Sequence, residues 1–452
     1  MSHSETRVAR LLREMRVSLA LALPLVLGQA SSMAMNIVDT VLAGWHGPVT
    51  LAAVGVGSAV WSVVILVSIG VLMAVPPTVA QLNGAGRRSE IGPVFRQALW
   101  LALALGVGLF FVVRAGALAL APMGITAEAR PEAEAFLRAI SWGAPALALY
   151  FCLRNLSEGI AWTRPAMVFG IAGLVLLAPL GHALMFGAGL GAAGLGYAVA
   201  ITLYCQAAAL CLYLRCSPRF ADLGLFARLD PPRWAPIRAL LALGLPMGVS
   251  VFMEGSLFVA TALLIGKLGT TQIAAHQIAI LMASLCFMVP LGVAMATTVR
   301  VGHAVGAGDP AAVRWAAAAG YSLVMVAQTL SALVLVFAAG WLASLFTRDP
   351  AVIALATLLM AYAALFQYPD GLQALSAGAL RGLKDTRVPM FITVLAYWGL
   401  GLPLGYWLGL GLGQGAPGLW TGLILGLSVA AGLLGWRFWR LARRPLAPVR
   451  VT

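Results

Sequence analysis

From Leu51 to Ala80 the chain runs without one ionisable side chain, and Leu99–Met123 is interrupted only by Arg114. Each stretch exceeds the roughly 20 helical residues needed to cross a hydrocarbon core of about 30 Å. Membrane-spanning strands would instead alternate over ~10-residue segments with polar lumen-facing positions, a pattern this sequence lacks. Twelve apolar runs follow one another: 19–43, 51–80, 94–121, 134–160, 166–188, 192–214, 238–265, 272–300, 312–340, 350–379, 387–410 and 416–436. Composition agrees, because 61% of residues are hydrophobic and 10% charged, against about 25% charged in a soluble domain. The expected fold class is an all-α polytopic membrane protein with twelve transmembrane helices.

A net charge of +14 could suggest a nucleic-acid partner, but the cations are scattered through the loops between apolar runs. No nucleic acid is expected; the lipid bilayer is the partner. With the N-terminus inside, 24 of the 29 Lys and Arg flank the inner side, leaving Arg114, Arg130, Arg138, Lys267 and Arg348 outside. Positive charge marks the cytoplasmic side. Both termini are therefore expected in the cytoplasm. The start, "MSHSETRVARLLREMRVS", reads as an amphipathic lead-in and not as a cleavable signal. Five cysteines without CxxC spacing give neither a disulfide framework nor a metal site.

The chain repeats itself. Leu23–Pro24 recurs as Leu245–Pro246, and Gly84–Gly86 as Gly306–Gly308, both 222 residues on. Thr163–Arg164 recurs as Thr386–Arg387 after 223, and Pro179–Gly181 as Pro403–Gly405 after 224. Two six-helix lobes follow, entering the membrane in one orientation and related by a pseudo-twofold along the membrane normal. The expected division is a lead-in at 1–18, an N-lobe at 19–214, a cytoplasmic linker at 215–237, a C-lobe at 238–436 and a tail at 437–452. Paired repeats suit a transporter with a site near the midplane and alternating access.

Of the fifteen acids, three lie deep in apolar runs: Asp39, Glu254 and Asp370. Glu158 sits four residues after Arg154 and reads as an ordinary ion pair. A charge at the bilayer centre costs about 2.5–3.5 kcal/mol on insertion scales, so the other three must face water, bind a cation or hold a proton. The bland alternative for each is a buried carboxylate that merely hydrogen-bonds its neighbours. Gln367, Asp370 and Gln373 recur every three positions, with Phe366 one turn earlier and Pro369 able to free a carbonyl. Gln29, Ser32, Asn36 and Asp39 make a similar face on the first span, where Pro24 could act as a hinge; Pro369 could be a second. Ser250, Glu254 and Phe258 share a face. His276 and Gln277 could complete a site, or His276 could be a satisfied packing histidine.

Four segments in order, "NIVDTVLAG" (Asn36–Gly44), "AAHQIA" (Ala274–Ala279), "VRVGHAVGAGD" (Val299–Asp309) and "LRGLKDTRVP" (Leu380–Pro389), resemble the multidrug and toxic compound extrusion family. The NorM-type bacterial branch looks nearest, and the resemblance covers nearly the whole chain. It implies export of organic cations in exchange for Na⁺ or H⁺, with Glu254 and Asp370 as the cation site and Asp39 and Pro24 as the first-span acid and hinge. Three positions, on two spans, depart from that pattern. Phe366 stands where relatives often carry a tyrosine, and Leu177 and Gly181 replace a polar pair on the fifth span. The coupling site is therefore expected in the C-lobe.

The expectation is thus a secondary antiporter, working as a monomer without cofactor, with Na⁺ or H⁺ as coupling ion and a Na⁺ site at Glu254 and Asp370. A lipid-linked precursor flippase of the same superfamily is the alternative, though the deep acids suit cationic cargo. An enzyme would need a nucleophile with its base, or a metal cluster such as HExxH, and neither is found.

Overall fold

The structure, a computed structural model, describes residues 6–118, 120, 128–228 and 230–445. Proline and aspartate open several of its helices. Asp309 and Asp349 accept hydrogen bonds from backbone N–H groups of the first turn and so cap the helices that start at Pro310 and Pro350. Two loop acids thus have structural roles.

The described residues form α1 (Arg7–His46), α2 (Pro48–Leu72), α3 (Val75–Gly84), α4 (Ile91–Leu118), α5 (Arg130–Ile140), α6 (Gly143–Gly159), α7 (Arg164–His182) and α8 (Gly191–Cys216). The second half adds α9 (Trp234–Gly266), α10 (Thr270–Gly306), α11 (Pro310–Phe337), α12 (Ala339–Ser344), α13 (Pro350–Gly382), α14 (Arg387–Val394), α15 (Leu402–Tyr406) and α16 (Ala416–Leu441). No strand occurs among the described residues. Among the described residues, eleven helical segments are long and apolar enough to cross a membrane, and α5 with α6, bent by 44°, makes a twelfth if the pair is one span. Every expected run falls on one of them, although the end of the third, beyond 118, lies largely outside the described residues. The lead-in and first span are one helix.

The repeat is written into the backbone. Gly47 and Gly269, Gly86 and Gly308, Gly189 and Gly413, and Gly191 and Gly415 all have positive φ, at the spacings of 222 and 224 seen in the sequence. Ala161 (φ 63°) and Lys384 (φ 58°), 223 apart, are the only non-glycine residues in that region among those described. Each closes a helix in the same way. Ala161 donates its N–H to the Glu158 carbonyl and Trp162 to that of Ser157, while Lys384 donates to Arg381 and Asp385 to Leu380. π-Helical turns also recur, at Ala183–Gly187 after α7 and at Leu395–Gly401 and Trp407–Gly411 around α15.

Among the described residues, two compact units form, and their changeovers fall inside α1 and α9. One, here the C unit, combines 6–26 with 249–445; the other, the N unit, contains 27–228 and 230–248. In the C unit, a Cβ placed on Gly292 of α10 would lie 2.4 Å from Val26 Cγ2 of α1. Arg300 of α10 also reaches the Glu14 carboxylate and, at 2.5 Å, the Ser18 hydroxyl. In the N unit, a Cβ on Gly70 of α2 would lie 2.3 Å from Gly248 Cα of α9, leaving room for hydrogen alone. Gly70 and Gly292 are themselves repeat partners, as are Val26 and Gly248. The first helix of each repeat therefore begins in the unit of the other repeat.

The linker is docked to the N unit. Arg96 of α4 bonds Asp230 and the Gly224 carbonyl at 2.6 Å each, Gln97 bonds the backbone of Pro231 and Arg233, and Trp100 donates to the Asp230 carbonyl. Arg88 holds Asp222 through two bonds, which keep that carboxyl below its usual range.

Candidate functional site in the C unit

α13 carries the centre of the site. Phe366, Gln367, Asp370 and Gln373 are all buried, so the expected polar stripe faces inward. Pro369 cannot donate a backbone hydrogen bond, yet α13 runs through it without a break. Neighbouring α11 braces that turn. Gln328 Nε2 donates to the Gln367 carbonyl at 2.9 Å, and Ser331 donates to Gln367 Oε1 at 2.8 Å. The close approach requires Gly371, where a Cβ would lie 2.6 Å from Gln328 Nε2. Gln367 Oε1 is thereby engaged in holding the helix.

What remains free is informative. Asp370 Oδ1, Gln373 Oε1, Gln367 Nε2 and the Tyr397 hydroxyl are buried without a hydrogen-bond partner. Buried polar atoms are nearly always satisfied, so four in one region point to a group that can be taken up from outside. Glu254 of α9 is half-buried and lies within Coulombic range of Asp370. Arg381, at the end of α13, bears electrostatically on Glu254 without forming an ion pair among the described residues. Two carboxylates and neutral oxygens are hard donors, suited to a small alkali cation or a proton.

Aromatic rings wall the group. Phe366 meets Phe258 of α9 edge-on at 5.9 Å and Trp420 of α16 at 5.6 Å. Trp420 donates its indole N–H to His276 Nδ1 at 3.2 Å, which makes His276 an acceptor there and hence a satisfied packing histidine. Gln277 is exposed on α10 and makes no side-chain hydrogen bond to the group.

Asp39 belongs to the N unit. Its Oδ1 is buried without a partner, but the polar face expected beside it is dispersed. Gln29 accepts a 3.0 Å bond from Arg154, Ser32 donates to the Gly28 carbonyl, and Asn36 is exposed. Leu177 is fully buried in the N unit's apolar core with Leu42 and Leu195, and a Cβ on Gly181 would crowd Leu42. The pair Arg154–Glu158, expected from spacing, is present at 2.6 Å and buried.

Sequence reasoning missed Tyr397, Gln328 and Ser331. Gln328 and Ser331 could have been found as polar residues one turn apart in the apolar run "MVAQTLSAL"; Tyr397 carries no such signal.

Residues 24–182 and 246–407, two blocks at the repeat spacing, match the profile of the family described as MatE. The chain belongs to the MatE family. A "Probable multidrug resistance protein NorM" of Xanthomonas campestris pv. campestris is 54% identical over 445 residues, covering 98% of this chain and 97% of that one. "Multidrug resistance protein PmpM" of Pseudomonas aeruginosa is 40% identical over 450 residues, covering 97% and 94%. The resemblance to the NorM-type branch is thus established across the whole chain. Among solved structures, "Outward-facing conformation of a multidrug resistance MATE family transporter of the MOP superfamily" superposes with a TM-score of 0.87 at 20% identity, over 97% of this chain and 99% of that one. A "eukaryotic MATE transporter AtDTX14" gives 0.85 at 20% identity, over 96% and 99%. The MatE fold and the multi-pass membrane character stand together.

Proposed function

We propose that this MatE protein exports organic cations from the cytoplasm in exchange for Na⁺ or H⁺, with the coupling site in the C unit. One observation carries the reading. Glu254 and Asp370 share an aromatic-walled region in which, among the described residues, neither is neutralised by an ion pair and three acceptor oxygens lack partners. Asp370, Glu254 and Gln373 Oε1 would hold the ion. A bound cation or proton removes negative charge from the pair and so weakens its attraction for a cationic drug. By linkage the drug weakens the ion by the same factor. Phe258, Phe366 and Trp420 offer apolar and cation–π surface to a lipophilic cation.

Relatives named as multidrug resistance proteins support drugs as cargo. The N-terminus-inside topology, the inner-membrane location and a monomeric state belong to the same proposal. The test is ethidium efflux from proteoliposomes under an inward Na⁺ gradient at constant pH, then under a pH gradient without Na⁺. One of the two inward gradients should drive ethidium out against its own gradient. Ethidium movement indifferent to both would overturn the antiport reading.

A further inference from the structure

Tyr397 lies in the middle of an apolar run, yet its ring is fully buried and its hydroxyl has no partner. An unmade hydrogen bond on a buried hydroxyl costs on the order of 1–3 kcal/mol. The backbone shows why it is aimed inward. Leu395–Gly401 is a π-helical turn, whose wider coil carries one more residue than an α-turn and shifts which side chains face the core. Such turns concentrate at functional sites. The next residue, Trp398, donates its indole N–H to the Met253 carbonyl at 3.2 Å. That bond ties the π-turn to the residue preceding Glu254. Tyr397 shares its apolar cluster with Leu257, three residues after Glu254, and with Phe366, four residues before Asp370. Its hydroxyl lies within Coulombic range of both carboxylates.

We propose that the Tyr397 hydroxyl is a fourth member of the C-unit cation site, beside Glu254, Asp370 and Gln373 Oε1. Bonded to neither carboxylate among the described residues, it is free to turn its lone pair to the coupling cation when that binds. The proposal rests on the coupling reading given above, and deepens it by adding a second neutral ligand in addition to Gln373 Oε1. The ionisable groups around the hydroxyl are Glu254 on α9 and Asp370 on α13. Arg381 on α13 bears on Glu254, and His276 on α10 is already bonded to Trp420; the α16 members of the cluster, among them Leu419, Leu423 and Leu427, carry no ionisable group.

The experiment compares wild type with Tyr397→Phe, an isosteric change that removes no hydrogen bond present in the structure. ²²Na⁺ binding to purified protein is titrated at pH 8, and ethidium release is followed against pH in the absence of Na⁺. In whichever arm the wild type responds, half-saturation should shift about five- to tenfold toward weaker binding, the size of one hydrogen bond. The melting temperature should not fall, because the variant removes an unsatisfied buried hydroxyl and no existing bond. A wild-type response that Tyr397→Phe leaves unmoved overturns this proposal alone. A wild type that responds in neither arm overturns the coupling reading and this proposal with it.

Discussion

Glu158 is the buried acid that should not matter for coupling, and replacing it separates structural from functional carboxylates. Its side chain and that of Arg154 are 3% and 5% exposed and bond at 2.6 Å. Removing one member of such a pair leaves an uncompensated buried charge and costs roughly 3–5 kcal/mol. Glu158→Gln should therefore strand the Arg154 guanidinium. The double change Arg154→Met/Glu158→Leu removes both charges together. It leaves only Gln29 Oε1 without its 3.0 Å bond and opens no charge defect, a loss of about 1 kcal/mol. At about 2 °C per kcal/mol, the single variant should melt some 6–10 °C below wild type and the double about 2 °C below. Melting followed by size-exclusion fluorescence in detergent, with ethidium efflux at a temperature where all are folded, measures both quantities. Efflux should survive in the double variant. Equal destabilisation of single and double, or loss of efflux in a folded double, would refute the assignment.

Three further outcomes follow. Asp39→Asn should keep measurable transport, because Leu177 and Gly181 give Asp39 no polar partner; total loss in a folded protein, seen by vesicle efflux, would show the N unit to be essential. Ala161→Gly and Lys384→Gly should each stabilise by about 1 kcal/mol, since both residues sit in the left-handed region, and a melt showing no gain would argue against strain there. The Asp222 carboxyl is held below its usual range by Arg88, so its contribution to linker docking is complete above about pH 4 and is lost as pH falls through the lower folded value. Hydrogen exchange in 218–226, corrected for intrinsic rate, should be flat from pH 5 to 8 and rise in acid; a rise between pH 7 and 5 would contradict it.

The spans were legible because lipid demands apolar runs of spanning length, and the repeat because its turns need particular residues at fixed spacing. The Arg154–Glu158 pair was legible as an i,i+4 pair. Long-range competition for polar groups was not. Gln29 belongs to Arg154, 125 residues away, and Gln367 Oε1 to Ser331 on another helix, so periodicity alone overstated both polar stripes. The changeover of units at Val26 and Gly248 depends on helix crossings that only three-dimensional packing reveals. Tyr397 was hidden because a π-turn breaks the 3.6-residue register on which a facing argument rests.

The central claim is that ion and drug compete for the same two carboxylates in the C unit. The most direct measurement is ethidium affinity, by fluorescence anisotropy of purified protein, across a Na⁺ titration at fixed pH and a pH titration without Na⁺. Wild-type affinity should fall as Na⁺ rises or as pH drops. Glu254→Gln should flatten that dependence, and Asp370→Asn should abolish coupled efflux while the protein still melts as wild type does. Ethidium affinity that stays constant through both titrations in the wild type would contradict the account.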